Sequence, residues 1–289
     1  MNPVVAVMVR TKDRPLLLRR AMESILNQTY KNWEIVLINN GGDEGTISAI
    51  HSEFICRTSN NIRLINLQRN SFMEVATNVG LKNTDAKFVT LLDDDDTWDE
   101  TFLEKCVEIL VNNNLIDGVV TKSTIVHEEI EGQTIQELCK ESLNPRLKRI
   151  GKYSLLRRNL FTTNSFVYRK NVLTEIGYYR EDLPVLGDWE FNLRFALSKK
   201  IVVLPQALAF YHKRQKNTNE NYSNTDLELH LKYDKLIRYE FCRRSFNEGA
   251  IIRGSRILIY GYFNNLTRLA KKMIHKKMNS NGRIEWRRR

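Results

Sequence analysis

Cysteine is scarce in this sequence, and long apolar runs are absent from it. The four cysteines lie far apart and show no CxxC spacing, at Cys56, Cys106, Cys139 and Cys242. This distribution fits neither a zinc site nor a disulfide framework. No apolar run approaches the roughly 20 residues that span a bilayer, and the start of the chain lacks the basic region of a signal peptide. We therefore expect a cytoplasmic protein that is neither exported nor integral to a membrane.

Two common catalytic motifs are also missing. The sequence contains no glycine-rich GxxxxGK phosphate loop and no GxSxG, and it shows no internal repeat. These absences argue against a P-loop NTPase and against an α/β-hydrolase.

Positive charge is concentrated at the carboxyl end of the chain. The 289 residues carry a formal net charge of +11. Residues 232–289 contain 16 Lys and Arg against 4 acids, so this tail holds +12 and the preceding body is about neutral. Such asymmetry indicates an anionic partner for the tail, either nucleic acid or a lipid surface.

Short apolar strands alternate with helical patterns through the first part of the chain. Strands are predicted at residues 4–9, 33–40, 63–67 and 88–92, with helices at 16–28, 44–55 and 73–81 between them. A further helix at 101–111 and a strand at 118–126 continue the alternation. This order predicts an α/β fold with a mostly parallel sheet covered on both faces. Ligand sites are then expected at the carboxyl ends of the strands.

The second half is less regular. Residues 127–150 are predicted as a loop or small hairpin, and β character resumes at 161–168. A helix is expected at 191–198, followed by two short strands at 201–204 and 207–211 on either side of Pro205. The polar stretch 212–225 is predicted to be a mobile loop.

A helical extension is predicted after this loop. We divide the chain into a domain at 1–225, with halves 1–98 and 99–225, and a basic extension at 226–289. Within the extension, residues 257–278 place apolar side chains on one helical face and Lys and Arg on the other. A basic amphipathic helix of this kind can lie in a membrane interface, which we favour, or pack on the domain with a solvated basic face.

Four consecutive carboxylates, Asp93 to Asp96, end the predicted strand at 88–92. Adjacent acids repel one another unless a cation neutralises them, and Mg²⁺, Mn²⁺ and Ca²⁺ prefer carboxylate oxygen. The cluster indicates a metal site. The alternative is a solvated acidic turn that caps the helix beginning near Asp99.

Three stretches in register resemble the inverting family 2 glycosyltransferases, which have the GT-A fold. The first, VAVMVRTKDRPLLLRRAMESILNQTYKNWEIVLINNGGDE, is similar to the amino-terminal nucleotide-binding unit of that family. The second, FVTLLDDDDTW, is similar to its DxD stretch, and the third, GDWEFNLRFAL, is similar to the segment with its catalytic base. The resemblance covers about residues 3–215 and implies a three-layer α/β/α sandwich with a mixed, mostly parallel sheet.

The resemblance also implies a metal site and a base. Asp93 and Asp95 match the two acids of DxD, with Asp95 as the main ligand of Mn²⁺ or Mg²⁺, and His212 can assist. Asp188 matches the general base, which takes the proton of the attacking acceptor hydroxyl. Trp189 is expected either to form an aromatic wall for the acceptor or to lie in the core.

A larger set of residues is implied to bind the nucleotide-sugar. These are Thr11, Asp13, Arg14, Asn40, Asn78, Asp93, Asp94, Lys213 and Arg214, while Asp96 either shares this role or caps the next helix. The chain departs from the family pattern at Asn39-Asn40, where an acidic pair is usual, and at Lys12, Thr77 and Gly187. A UDP-sugar is favoured, although an amide at residue 40 can both accept and donate and so leaves the nucleotide open.

The resulting expectation is a metal-dependent glycosyltransferase that moves a sugar with inversion to a glycan or lipid-linked acceptor. It would work at the inner face of the cell membrane, held there by residues 226–289. A nucleotidyltransferase is a second hypothesis, because it also uses paired acids on a metal. A nucleic-acid-binding protein is a third, weakened by the acidic crevice, which repels phosphates when no metal is bound.

Overall fold

The computed structural model describes residues 4–214 and 227–261, and the chain divides into two compact units, residues 1–230 and 231–289. The strands are β1 (Val5–Thr11), β2 (Trp33–Asn40), β3 (Ile62–Leu67), β4 (Phe88–Asp93), β5 (Thr97–Trp98), β6 (Gly118–Glu131), β7 (Thr134–Ser142), β8 (Phe166–Arg169) and β9 (Ile201–Arg214). The α-helices are α1 (Pro15–Leu26), α2 (Glu44–Ile55), α3 (Met73–Lys82), α4 (Phe102–Asn112), α5 (Leu173–Ile176), α6 (Gly187–Ser198) and α7 (Leu227–Asn247).

A mixed sheet forms the centre of the first unit. Its order is β3-β2-β1-β4-β8-β6-β9-β5, with β7 paired to β6. The half β3-β2-β1-β4 is parallel, and β8 runs antiparallel to both β4 and β6. Since the chain moves outward from β1 through β2 to β3 and then returns to β4 on the other side of β1, β1 and β4 flank a topological switch point. Ligands bind at the strand carboxyl ends there.

Helices cover both faces of this sheet. Alternate residues of β1, such as Val7, belong to one apolar core with buried side chains of α1, α2 and α4. On the opposite face, Gly80 of α3 lies against Met8 and Ile38, and α6 packs its aromatic side chains on β8. Helices α3 and α6 therefore share one side of the sheet. The α/β fold with a layer of helices on each face is confirmed.

Of the two alternatives predicted for residues 127–150, a loop or a small hairpin, the hairpin forms over residues 127–142. Strand β6 continues to Glu131, the chain turns at Gly132 with φ of 61°, and β7 follows. The structure corrects two other local expectations. Residues 201–214 form one strand, because Pro205 and the residue after it bulge out of the pairing with β6, as a residue that lacks a donor N–H requires. Helix α6 begins at Gly187, four residues earlier than expected.

The second unit is helical over its described part. Helix α7 is followed by a helical stretch at 251–261. The two contact each other through Arg253, whose Nε donates to Ser245 Oγ at 2.6 Å, and through Gly254, which lies against the ring of Phe246. The predicted helix at 257–278 is helical through residue 261. Its remainder, most of the loop at 212–225 and the predicted domain boundary lie outside the described residues.

No helix in residues 4–214 and 227–261 is both long enough and apolar enough to cross a bilayer.

Gly118, at the start of β6, is in a tight aromatic environment that fixes α6 on the sheet. The ring of Phe166 lies 5.0 Å from that of Phe195, and a Cβ at residue 118 would come within 2.5 Å of the Phe166 ring. We expect Gly118→Ala to lower the free energy of unfolding by about 1–3 kcal/mol, measured by urea denaturation. Gly45→Ala in α2 is the matched control, because its Cβ has room. Equal effects of the two substitutions would contradict this packing.

Candidate active site

The crevice lies where the carboxyl ends of β1, β2 and β4 meet. The strand register puts Arg10 opposite Asp93 and Thr11 opposite Asn39. The carboxylates of Asp93 to Asp96, which we call the acidic row, follow directly from β4 and turn back at once, with the Asp96 N–H donating to the Asp93 carbonyl at 3.0 Å.

Arg10 neutralises the first carboxylate of the acidic row. Its Nε donates to Asp93 Oδ1 at 3.0 Å, and its Nη1 donates to Thr77 Oγ1 at 3.0 Å. Although burial acts to lower it, the pKa of Arg10 is raised by the carboxylates of Asp93 and Glu74. Arg10 was not among the predicted site residues, because it stands within an apolar strand pattern.

Asp94 is the most deeply enclosed member of the acidic row. It accepts hydrogen bonds from Thr11 Oγ1 at 2.7 Å and from Arg14 Nε at 3.1 Å. Burial raises the pKa of Asp94 to about 7. Thr11 and Arg14, both predicted to contact the nucleotide, thus meet at one carboxyl group. Asp13, with φ of 52°, instead accepts from the Asp43 N–H at 2.8 Å and so ties this loop to the start of α2.

Asp95 joins the two halves of the sheet. Its carboxylate accepts from Arg14 Nη1 at 3.2 Å and from Arg214 Nη2, at the end of β9, at 2.5 Å. Its backbone carbonyl accepts from Arg20 Nη2 of α1 at 2.7 Å. The acidic row is therefore bound by guanidinium groups from three different elements.

Asp96 does not cap the following helix, which begins only at Phe102. It is buried, and its Oδ1 accepts from the His212 N–H at 3.0 Å, so it anchors β9 beside the acidic row. Burial raises the pKa of its carboxyl well above the ordinary value. Asp99, proposed to start that helix, accepts from the Thr101 N–H at 2.9 Å instead.

Glu128 of β6 is a site residue that the sequence analysis missed. It is buried and accepts from Arg20 Nη1 at 2.6 Å, His212 Nδ1 at 2.7 Å and Arg214 Nη1 at 2.7 Å. Burial alone would raise its pKa, but hydrogen bonds from His212 and Arg20 outweigh it and lower the pKa to about 2. Residues 127–150 were predicted as a loop or small hairpin, and only the pairing of β6 with β9 puts this acid beside Arg214.

His212 and Lys213 occupy different surroundings. The His212 Nε2 is 2.9 Å from Thr97 Oγ1, so both of its ring nitrogens are hydrogen-bonded. Lys213 is exposed, with its ammonium 5.7 Å from the centre of the Tyr211 ring. Neither contacts the acidic row through its side chain in the way that Arg214 does.

The two predicted asparagines fix loops at the edge of the crevice. The Asn40 side chain accepts from the Ser71 N–H at 3.0 Å and donates to the Ser71 carbonyl at 2.9 Å. Asn78 exchanges hydrogen bonds with the Tyr179 backbone and donates to Glu181 Oε1 at 2.8 Å. Asn78 thereby holds the segment that leads into α6. The predicted nucleotide contacts of Asn40 and Asn78 stay predictions.

Asp188 lies in the first turn of α6 rather than in front of the helix. Leu186 precedes that turn with φ of 64°, a left-handed conformation that costs a non-glycine residue on the order of 1–3 kcal/mol. The carboxylate is half-buried and accepts from Asn159 Nδ2 at 2.8 Å. Burial raises its pKa, and among the charged groups around it are Arg10 and Asp93. Asp188 is therefore in the electrostatic field of the acidic row.

Trp189 lies in the interior, the alternative considered for this residue. Its indole is 2% exposed and donates from Nε1 to the Leu155 carbonyl at 2.9 Å. The buried ring does not form an open wall for a sugar.

The carboxylates offer hard oxygen ligands, but guanidinium groups already bind them. Among the described residues, no three side chains of His, Cys, Asp or Glu are arranged to hold a metal ion. Mg²⁺ is commonly held by one or two carboxylates together with substrate phosphates. Asp93 and Asp95 fit that pattern once a diphosphate competes for their arginines, whereas His212 has no ring nitrogen left without a hydrogen bond.

These features define an α/β protein with a charged ligand crevice at its topological switch point. A family model described as "Glycosyl transferase family 2" matches residues 6–180. The chain belongs to this family of glycosyltransferases, and its fold is GT-A.

Curated relatives agree with this assignment. An uncharacterized glycosyltransferase of Haemophilus influenzae is 26% identical over 242 residues, which cover 82% of this chain and 74% of the relative. Glycosyltransferase GlyA of Streptococcus pneumoniae is 33% identical over 224 residues, 73% of this chain and 31% of GlyA. The similarity to GlyA thus spans about a third of that protein.

Solved structures show the same fold. S. aureus TarS 1-349 in complex with UDP-GlcNAc matches with a TM-score of 0.63 at 18% identity, covering 82% of this chain and 66% of that one. TarS 1-349 in complex with UDP matches with a TM-score of 0.61 at 19% identity, covering 82% and 65%. The chain spans just under two thirds of the TarS fragment.

The lowered pKa of Glu128 predicts that the stability of the fold depends on pH in the acid range. Because the folded pKa of about 2 lies below the ordinary 4.5, its ionised form stabilises the fold above pH 4.5, and this contribution disappears as the pH falls toward 2. We expect Glu128→Gln to cost about 3 kcal/mol at neutral pH and to flatten this acid dependence, measured by urea unfolding at several pH values. Glu129→Gln, the next residue of β6, is the control. If Glu128→Gln loses as much free energy of unfolding as the parent when the pH falls from 4.5 toward 2, the hydrogen bonds of Glu128 do not have this role.

Proposed function

We propose that this protein transfers a sugar from a nucleotide-sugar donor to a glycan or lipid-linked acceptor, with inversion at the anomeric carbon. The observation that carries the proposal is that Asp188 and Asp93, two carboxylates from distant parts of the chain, act on each other electrostatically, and that Arg10, which binds Asp93, acts on both. A donor held at the acidic row would present its sugar toward the candidate base. A single displacement with inversion needs the base and the departing diphosphate on opposite sides of the sugar, which two separate groups of carboxylates would allow.

The donor diphosphate is expected at the guanidinium groups of the crevice. Arg14 and Arg214 both reach Asp95, and a guanidinium binds phosphate oxygens with the same fork geometry that it uses on a carboxylate. Lys213, at the end of β9, adds positive charge. A UDP-sugar is our preferred donor, which the UDP-GlcNAc bound to TarS supports.

The remaining donor contacts follow from the same crevice. Thr11, Asp13 and Asn40 stand at the carboxyl ends of β1 and β2, where the nucleoside is expected. Asn78 and Asp94 are the further predicted contacts, with Asp94 nearer the sugar or ribose.

The proposed cofactor is Mn²⁺ or Mg²⁺. Asp95 and Asp93 would hold it, with donor phosphates completing the oxygen ligands. When bound, the cation supplies Lewis-acid stabilisation of the departing nucleoside diphosphate. His212 would support the metal site without binding the metal, because its two ring nitrogens are hydrogen-bonded to Glu128 and Thr97.

Asp188 is the proposed general base. It would accept the proton of the acceptor hydroxyl as that oxygen attacks the anomeric carbon from the side opposite the diphosphate. Its raised pKa brings the carboxylate nearer to neutral pH, where general-base catalysis is most effective. Asn159 orients the carboxylate through the 2.8 Å hydrogen bond to Oδ2.

Asp188→Asn separates donor binding from transfer. We expect a UDP-sugar with Mn²⁺ to raise the Tm of the parent and of this variant alike, since a ligand that binds only the folded state stabilises it. Transfer to the acceptor should fall about 10²–10⁴-fold in the variant. Asp182→Asn, on the exposed segment before α6, is the control. Full transfer by Asp188→Asn would exclude this base, and a Tm raised only by GDP-, CDP- or dTDP-sugars would exclude the UDP donor.

The second unit is the proposed membrane contact, at the inner face of the cell membrane. Ile251, Ile252, Leu258 and Ile259 are exposed on the helical stretch 251–261, where their spacing puts them on one face. The net +12 of residues 232–289 supplies attraction to anionic headgroups. Apolar side chains and positive charge together favour a lipid surface over nucleic acid.

We expect the protein to bind vesicles of phosphatidylcholine with phosphatidylglycerol, measured by flotation. Ile251 and Ile252 are 64% and 68% exposed, so changing both to Ser should spare the fold and weaken binding by about tenfold or more. Leu115→Ser, on the first unit at 76% exposure, is the control. Equal flotation of the double variant and the parent would contradict membrane contact through this face.

A further inference from the structure

Gly187, the first residue of α6, is covered by a side chain from another helix. A Cβ at this position would overlap Oε1, Cδ and Cγ of Glu74. The φ of Gly187 lies outside the left-handed region, so the backbone does not itself require glycine. The Glu74 carboxyl occupies the space that a side chain next to Asp188 would take.

Glu74 belongs to the first turn of α3 and is 7% exposed. Its Oε2 has no hydrogen-bond partner among the described residues. The charged groups facing it come from three elements, Arg10 of β1, Asp93 of β4 and Asp188 of α6, and Tyr179 faces Arg10 from the segment before α6. Glu74 is thus a buried acid in the active-site crevice that the proposed transfer reaction does not use.

The charges around Glu74 and Asp188 determine which of the two carboxyls is ionised. Arg10 binds Asp93 directly, and its charge also acts on Glu74, where it lowers the pKa without cancelling the effect of burial. Two neighbouring carboxyls, one buried and one half-buried, resist joint ionisation. Asp188 accepts hydrogen bonds from Asn159 and from the Trp189 N–H, which favour its charged form. Burial raises the pKa of Glu74 to about 7, with Asp188 adding to the effect. Of the two carboxyls, Glu74 is therefore the one that we expect to hold a proton below about pH 7.

We propose that Glu74 is a positioning residue for Asp188: its carboxyl fills the space beside Gly187 and, as the protonated member of the pair, leaves the negative charge on the base. The proposal rests on the proposed function in treating Asp188 as the base. During transfer the acceptor proton passes to Asp188 and then to solvent, while Glu74 keeps its own proton. Ionised Glu74 would repel Asp188 from its hydrogen bond with Asn159.

A mutant cycle tests the packing without any activity assay. Gly187→Ala should lower Tm in the parent, because its methyl group collides with the Glu74 carboxyl. In the Glu74→Ala background the same substitution should cost little, because that variant opens the space. An equal fall in Tm in both backgrounds would overturn the packing on which the proposal depends.

Infrared titration and transfer kinetics test whether Glu74 is protonated. Infrared difference spectra of the parent should show two carboxyls that titrate near neutral pH, those of Asp94 and Glu74, and one of the two signals should be missing in Glu74→Gln. In transfer assays, Glu74→Ala should lower kcat on the order of 10²-fold with little change in donor KM. Glu74→Gln, which keeps the shape and cannot ionise, should recover most of that loss and remove the parent's decline in kcat above neutral pH. Glu44→Gln, in the first turn of α2, is the matched control.

The outcomes separate this proposal from the function itself. If Glu74→Gln loses as much kcat as Glu74→Ala, Glu74 acts as an anion and the proposal is wrong. Identical neutral-pH carboxyl signals in the parent and in Glu74→Gln would also overturn it. Full transfer by Asp188→Asn would instead refute the base, and the infrared result would still report where the proton of Glu74 resides.

Discussion

The matching of buried carboxylates with guanidinium groups holds the crevice of this protein together. The acidic row and Glu128 put five acids close to one another. Four arginines contact them, from β1, the loop before α1, α1 and β9: Arg10, Arg14, Arg20 and Arg214. A buried carboxylate without a partner is costly, and removing one member of a buried pair leaves an uncompensated charge. The strand ends must therefore stay in register for the charges to remain paired.

This constraint links ligand binding to the second half of the sheet. Arg214 donates to both Asp95 and Glu128, so it joins β9 and β6 to the end of β4. The diphosphate of the proposed donor would compete for the same guanidinium, while Glu128 would keep its hydrogen bond to Nη1 of that group. The proposed donor would thus replace one anion at an arginine that is already oriented, which reduces the ordering cost of binding.

The parts of the fold that were predictable are those encoded by consecutive residues. Apolar runs fixed β1, β2 and β4 closely, and the end of β4 located the acidic row. Glu128 was missed because β6 becomes polar beyond Val126, and its burial depends on pairing with β7 and β9. Pro205 suggested a break, but a bulge keeps β9 continuous. Trp189 shows the same limit, since helical position alone does not tell a core indole from one that lines a site.

The crevice also shows why motif matching describes its chemistry incompletely. Motifs compare neighbours in sequence, whereas a buried charge is set by whatever side chain fills the adjacent space. Thr77 carries no charge, yet Arg10 reaches it from β1 and brings a guanidinium to that point. Gly187 carries no side chain, yet Glu74 brings a carboxyl against it from α3. Arg10 lies on β1, which flanks the switch point, and Glu74 lies on α3, the helix that leads into β4. The topology can therefore deliver a charge that the local sequence lacks. Departures from a family pattern should therefore be evaluated in space, by which groups occupy the vacated volume.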